Sequence, residues 1–279
     1  MPALLSLQFE HTAGQTVLRL KHQQPPWRVI RGFPNAGGET LAHLHNVSGG
    51  VLDSDDLHLH LEIGPDARAQ ITTTGATRIY RSRSERATSR QRTEVTIARR
   101  GVLEYLPDTL IPYGRSRFEQ STAIDLTNEA TLFWWETIAP GREAAGEVFD
   151  YHALRSSLNL RAEGQSVAFE RYAIEPGIRN PASAARLGPF RYFSTFYVCQ
   201  AGRAAPGWLE LESELGDLAG ELSRPGEVLW GVSALAACGL AIRGVALKGR
   251  DLTQGLTRFW RASKWSLCGR VAAIPRKIY

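Results

Sequence analysis

The chain has 279 residues, 43% of them hydrophobic and 22% charged. That balance excludes an intrinsically disordered polypeptide and allows a sizeable core without disulfides or a structural metal. Its 33 basic and 28 acidic side chains leave a formal charge of +5, a mild excess that favours an acidic partner or a polyanion. Three widely spaced cysteines (Cys199, Cys238, Cys268) with no C-x-x-C pair disfavour a disulfide framework and a zinc ribbon, and they fit a reducing compartment. The first residues, Met1 to Gln8, lack the basic start and apolar stretch of a secretory signal. The most apolar run, Val228 to Ile242, is interrupted by glycine and is shorter than the ~20 residues of a membrane helix. The expectation is a soluble, cytoplasmic protein with no membrane partner.

In chain order, four segments share one pattern of alternating strand, tight polar turn and second alternating strand. Leu57–Glu62 turns at Gly64-Pro65-Asp66 into Ala67–Thr73, and Thr93–Ala98 turns at Arg99-Arg100-Gly101 into Val102–Leu106. Ser121–Leu126 turns at Thr127-Asn128-Glu129 into Ala130–Ile138, and Ser157–Arg161 turns at Ala162-Glu163-Gly164 into Gln165–Arg171. Alternation places one face of each strand inward. Turns recurring about every 30 residues predict stacked strand pairs, as in a β-helix or β-sandwich. Residues 179–189, with Asn180-Pro181 and Gly188-Pro189, read as a loop. Leu209–Leu222 and Thr253–Cys268 carry helical spacing, the second stopped by Gly269. The expected architecture is mainly β, a single domain with a β-rich body over about 1–178 and a mixed α/β part over about 190–279.

Three sets of residues are candidates for chemistry. His58, His60 and Glu62 project from one strand face, a pattern able to hold zinc, nickel or iron in a cupin-like enzyme, or simply to solvate an outer face; His43 and His45 repeat the spacing. Asp53, Asp55 and Asp56 follow Gly49-Gly50 without the order of an EF-hand. Glu136 follows Phe133-Trp134-Trp135 in a strand expected to be buried, where a carboxylate is costly unless paired or bound to a cation, and Glu170 after Phe169 raises the same question. Arginines 78, 81, 83, 86, 90, 92, 99 and 100 form a basic stretch that could track phosphates. Glu85 and Glu94 interrupt it and aromatics are almost absent beyond Tyr80, which favours a solvated face or an acidic-partner contact over nucleic acid. There is no G-x-S-x-G elbow and no phosphate-binding loop around Lys248-Gly249.

The stretch Thr72-Thr73-Thr74-Gly75-Ala76-Thr77-Arg78-Ile79-Tyr80-Arg81-Ser82 resembles the T-x-P-G-A-x-K-F-Y-R-S signature of the urease accessory protein UreD family, called UreH in some species. Other matches keep the family order: Leu44-His45 with Ser48-Gly49-Gly50, Leu103-Glu104-Tyr105-Leu106-Pro107, and Trp135-Glu136 with Gly141-Arg142 and Gly146-Glu147. Glu170-Arg171, then Trp260, Gly269-Arg270 and Pro275-Arg276, complete the series. The chain departs from the family where Asp53-Ser54-Asp55 replaces its G-G-D, where Asp108 replaces a glutamine, and at Thr74, where the signature has proline.

The resemblance implies a β-helix-like stack with a C-terminal helical portion. It implies a chaperone and not a catalyst: a protein that binds apo-urease and, with UreF and the GTPase UreG, helps deliver nickel to the buried urease site through an internal tunnel. Asp55, Glu136 and Glu170 are the implied transit carboxylates, with nickel passing through and no cofactor permanently bound. A homodimer within the complex is a further expectation. His58, His60 and Glu62 match no family motif and remain the basis of the alternative, a β-rich metal-dependent enzyme.

Overall fold

A computed structural model describes residues 2–84 and 87–275. Arg86 of the basic stretch and Arg276 of the terminal motif lie outside the described residues. The chain begins with the hairpin β1 (Ala3–Thr12) and β2 (Gln15–Gln23), the short β3 (Trp27–Arg28) and β4 (Phe33–Pro34), and β5 (Thr40–Asn46). Next come β6 (Asp56–Ile63), β7 (Arg68–Thr73), β8 (Thr77–Ile79), β9 (Ser89–Ile97), β10 (Val102–Tyr105) and β11 (Leu110–Pro112). The longer β12 (Arg117–Leu126), β13 (Thr131–Ile138), β14 (Ala153–Ala162), β15 (Gln165–Ile174) and β16 (Tyr192–Gln200) follow. Helix α1 (Ala205–Leu222), the pair β17 (Val228–Ala234) and β18 (Gly239–Ala246), and helix α2 (Gly249–Cys268) complete the order.

Two sheets face each other. The first runs β15-β14-β12-β9-β6-β1-β2, and the second runs β17-β18-β16-β13-β10-β7-β5-β3. Successive coils stack in parallel, so β6 pairs with β9, β9 with β12 and β12 with β14, while β7, β10 and β13 pair alongside them. The stacked strand pairs expected from the sequence are present, with a distinction that the pattern alone does not make. The first three turns are corners that carry the chain from one sheet to the other, whereas the fourth folds β15 back on β14 as an antiparallel hairpin. Backbone handedness explains the difference. Each corner holds a single left-handed residue (Asp66, Arg100 or Glu129), while the hairpin has two in succession, Glu163 and Gly164. Two consecutive left-handed residues give the twist that reverses a strand onto its neighbour. The β1–β2 turn uses the same device at Ala13 and Gly14.

Between the sheets the inward apolar residues pack into one core. Leu57, Leu59, Leu61 and Ile63 of β6 are each at most 1% exposed, while His58, His60 and Glu62 point outward. The second sheet is covered on its other side by α1 and α2, through Trp208, Leu211, Leu215, Leu256, Phe259 and Trp260. β13 is therefore buried on both faces, which is why Leu132-Phe133-Trp134 reads as an unbroken apolar run. Pro206 opens α1, and Gly269, left-handed at φ 61°, closes α2. The Val228–Ile242 run forms most of the antiparallel β17–β18 pair. Because β16 pairs with β13, the C-terminal part extends the second sheet. No helix among the described residues is long and apolar enough to cross a membrane.

Candidate functional site

Glu136 sits on β13 in the second sheet and Glu170 on β15 in the first, and the fold brings them to one cavity of about 20 Å3. That is space for about one water molecule. Trp134, Ser156, Tyr172 and Tyr197 help to line it. The Gln120 amide donates to Glu136 Oε2 at 3.0 Å and lies 3.0 Å from Ser156 Oγ. Glu170 accepts a hydrogen bond from the Tyr197 hydroxyl and meets Arg243 at 3.5 Å. Burial, followed by the Glu170 carboxylate, raises the Glu136 carboxyl to about 7. Burial and the adjoining acids also raise the Tyr172 and Tyr197 hydroxyls. The Glu136 carboxyl is thus partly protonated at neutral pH.

The acidic cavity adjoins larger spaces. A pocket of about 340 Å3 shares Glu170, Tyr172, Phe193 and Thr195 with it and opens beside Arg179, Arg186 and Arg243. On the opposite side Trp134 stacks on Tyr105 with ring centroids 3.9 Å apart and planes within 9°. Tyr105 in turn lines a pocket of about 240 Å3 that includes Gly49, Gly50, Thr74, Gly75 and Arg78. Asp55 lies apart from the carboxyl pair. In the β5–β6 loop its carboxylate accepts the Leu52 N–H at 2.8 Å, and burial raises its pKa.

The family-motif positions, scattered through the sequence, largely meet at one corner. Gly49 takes φ 78° and its carbonyl accepts from the Tyr80 hydroxyl at 3.3 Å. Gly50 packs so closely that an added Cβ would lie 2.5 Å from the Arg78 carbonyl. Tyr80 meets Tyr113 edge-on, and the Arg142 guanidinium lies 4.4 Å from the Tyr113 ring centre. Arg142 grips Glu147 through two hydrogen bonds, one at 2.8 Å. Glu147 also accepts the Gly114 N–H at 2.9 Å, and Arg81 lies 3.9 Å away. The Arg142 hydrogen bond is the main reason that the Glu147 carboxyl falls to about 2. Gly146 supplies the left-handed turn before Glu147 at φ 78°. Gly75 has open space around it.

The histidine set occupies the outer face of β6. His58 lies 3.3 Å from Asp56, His60 lies 3.8 Å from Glu62, and His60 Nδ1 is 3.4 Å from Ser6 Oγ. Among the described residues no group of three or more His, Cys, Asp or Glu side chains could hold a metal ion.

A second buried polar cluster has no counterpart in the sequence reading. Lys264 of α2, 1% exposed, reaches Glu39 at 2.8 Å and Glu104 at 2.5 Å. Gln70 donates to Glu104 at 2.6 Å and to the Ala273 carbonyl at 3.1 Å. Burial raises the Glu104 carboxyl to about 7 although Lys264 opposes the shift. The cluster ties α2 and the segment after it to the loop before β5, to β7 and to β10.

The fold is thus a two-sheeted, largely parallel β-solenoid, covered by helices on one side and holding an acidic cavity between its sheets. The profile of the UreD urease accessory protein family matches residues 1–278. The chain is 41% identical over 275 residues to urease accessory protein UreD of Herpetosiphon aurantiacus, covering 99% of this chain and 96% of that one. It is 31% identical over 200 residues to UreD of Cenarchaeum symbiosum, covering 70% of each chain. With UreD 2 of Brucella abortus the identity is 28% over 280 residues, covering 98% of this chain and 90% of the relative. The chain belongs to the UreD family of urease accessory proteins, a family of accessory factors and not of enzymes.

Proposed function

We propose that the chain is a maturation scaffold for urease: with UreF and the GTPase UreG it binds apo-urease in the cytoplasm and passes nickel through its interior. The observation that carries this reading is the Glu136–Glu170 cavity between the sheets, flanked by larger pockets at Glu170 and at Tyr105. Two carboxylates, one of them held near neutrality, supply hard oxygen ligands without the full set that would trap a divalent ion. Nickel is cargo here and not a resident cofactor. Asp55 would act outside this cavity, at the β5–β6 loop. The metalloenzyme alternative gains nothing from the outward, separately partnered His58 and His60.

The test is co-expression with the apo-urease subunits and UreF, then size-exclusion chromatography and an activity assay after nickel addition. Co-elution, with activity lost when this chain is omitted, is expected. Within that system Glu136→Ala should leave co-elution intact and lower the nickel content of urease. Normal nickel loading by the variant would remove the transit role, and urease activated equally well without the chain would remove the scaffold role.

A further inference from the structure

The outer face of the first sheet carries a groove of about 640 Å3, built by strand register on the side away from the acidic pair. One cross-strand row runs His58, Arg92, Ser121, Ser157, Arg171. The adjoining row runs Asp56, Arg90, Glu119, Arg155. In that second row Glu119 lies 3.3 Å from Arg90 and 2.8 Å from Arg155, and Arg155 also pairs with Glu175. The first row is different. Its two serines leave a low floor between the Arg92 and Arg171 guanidiniums. Arg92 has one carboxylate, Glu94 at 2.6 Å. Arg171 makes no ion pair among the described residues, because its neighbour Glu170 faces the interior and pairs with Arg243. On the same face of β15, Phe169 is 68% exposed. Arg90, Arg92, Arg155 and Arg171 line the groove with Asp56 and Glu119, and since Glu94 and Glu175 beside it pair with Arg92 and Arg155, Arg171 is the arginine left without a carboxylate among the described residues.

We propose that this groove docks an extended acidic segment of a protein partner, with carboxylates seated on Arg92 and Arg171 and an apolar side chain against Phe169. The guanidinium fork takes a carboxylate through two parallel hydrogen bonds, which gives direction as well as charge. From β9 to β15 there are three interstrand steps of about 4.8 Å, roughly 14 Å in all. An extended chain rises about 3.4 Å per residue, so acids four residues apart match the two arginines. A continuous phosphate backbone fits less well, since it would pass over Asp56 and Glu119 and find one aromatic ring.

The probe is a fluorescein-labelled peptide with glutamates at positions i and i+4 in a serine–glycine background, titrated with the full-length protein by fluorescence anisotropy. Arg92→Glu with Arg171→Glu is expected to weaken binding at least tenfold. Arg92→Gln with Arg171→Gln carries the same direction with a gentler change, which keeps the test independent of folding. Arg28→Glu with Arg250→Glu alters net charge equally far from the groove and should change affinity less than twofold. The proposal is overturned if the wild type does not bind the peptide, if the groove variants bind as well as the wild type, or if the control pair loses as much. It is also overturned if a single-stranded oligonucleotide of equal charge displaces the peptide and binds more tightly through the same arginines.

Discussion

Replacing Glu136 by glutamine should make the protein less sensitive to alkaline pH, by an amount that the structure sets. The carboxyl stands near 7 in the folded chain against an ordinary 4.5, because burial and Glu170 disfavour its charge. An acid raised in this way stabilises the fold fully below pH 4.5, and that stabilisation is lost as pH rises through 7. Each unit corresponds to about 1.4 kcal/mol, so between pH 5 and pH 8 the carboxyl forfeits about 2–3 kcal/mol. For a chain of this size that is about 5 °C in Tm. Glutamine stays neutral, and its amide oxygen can still accept the hydrogen bond from Gln120. Thermal unfolding followed by circular dichroism at fixed ionic strength should show the Glu136→Gln Tm gaining on the wild type by about 5 °C from pH 5 to pH 8. A difference between the two proteins that stays constant over that range would refute the burial argument.

Lys264→Met leaves Glu39 and Glu104 buried without their cation, so the urea midpoint should fall by the equivalent of about 3–5 kcal/mol at pH 8. Adding Glu39→Gln and Glu104→Gln to that variant should recover a large part of the loss, and no recovery would place the effect in packing. Gly50→Ala drives a methyl group against the Arg78 carbonyl and should cost about 1–3 kcal/mol, whereas Gly75→Ala, with nothing within 4 Å, should unfold within a degree or two of the wild type. Arg142→Ala should destabilise the protein at pH 7 by leaving Glu147 without its guanidinium. Because Glu147 is held near 2, that loss should shrink as pH falls from 4.5 toward 2, and a pH-independent cost would show that Arg142 acts through Tyr113 stacking instead.

The β-body was legible because alternation and turns are local properties: the turn residues named from sequence are the turns of the structure. Corner and hairpin were not separable, since every turn has a left-handed non-glycine residue (Asp66, Arg100, Glu129, Glu163), and the second one that marks the hairpin, Gly164, has a sequence counterpart in Gly101 of a corner, which is not left-handed. Glu136 was legible as a polar residue inside an apolar run, and Glu170 by its place after Phe169. Their meeting was not, because it depends on the hairpin that returns β15 opposite β13. Gln120, Tyr172 and Tyr197 complete the cavity, yet an isolated glutamine or tyrosine in a strand carries no signal. Lys264 is the extreme case. A lysine on an amphipathic helix reads as solvated, and only the arrival of Glu39 from the loop before β5 and Glu104 from β10 makes its burial tolerable.

The two raised carboxyls, Glu136 and Glu104, have different surroundings, and those surroundings bear on which could handle a cation. Glu104 already faces an ammonium at 2.5 Å, so a metal ion would have to displace Lys264 from a place where it is 1% exposed, and a buried lysine without partners is strongly disfavoured. Among the described residues Glu136 makes no ion pair; its partners are the Gln120 amide and the shared cavity with Glu170. In the resting protein a proton supplies the missing positive charge at modest cost, since the carboxyl is half-protonated near pH 7. On the proposed transit reading, a divalent ion arriving there would release that proton and gain two carboxylates, then meet the proton again as competitor when it leaves. On the transit reading, affinity at this point should rise with pH through the neutral range. Nickel binding to the wild type and to Glu136→Gln, measured by isothermal titration at pH 6 and pH 8 in buffers of different ionisation enthalpy, reports both the affinity and the proton released. Tighter binding at pH 8, with proton release at pH 6 that is absent in the variant, is expected. Equal affinity at both pH values, or equal proton release in the variant, would separate the raised carboxyl from any handling of the metal.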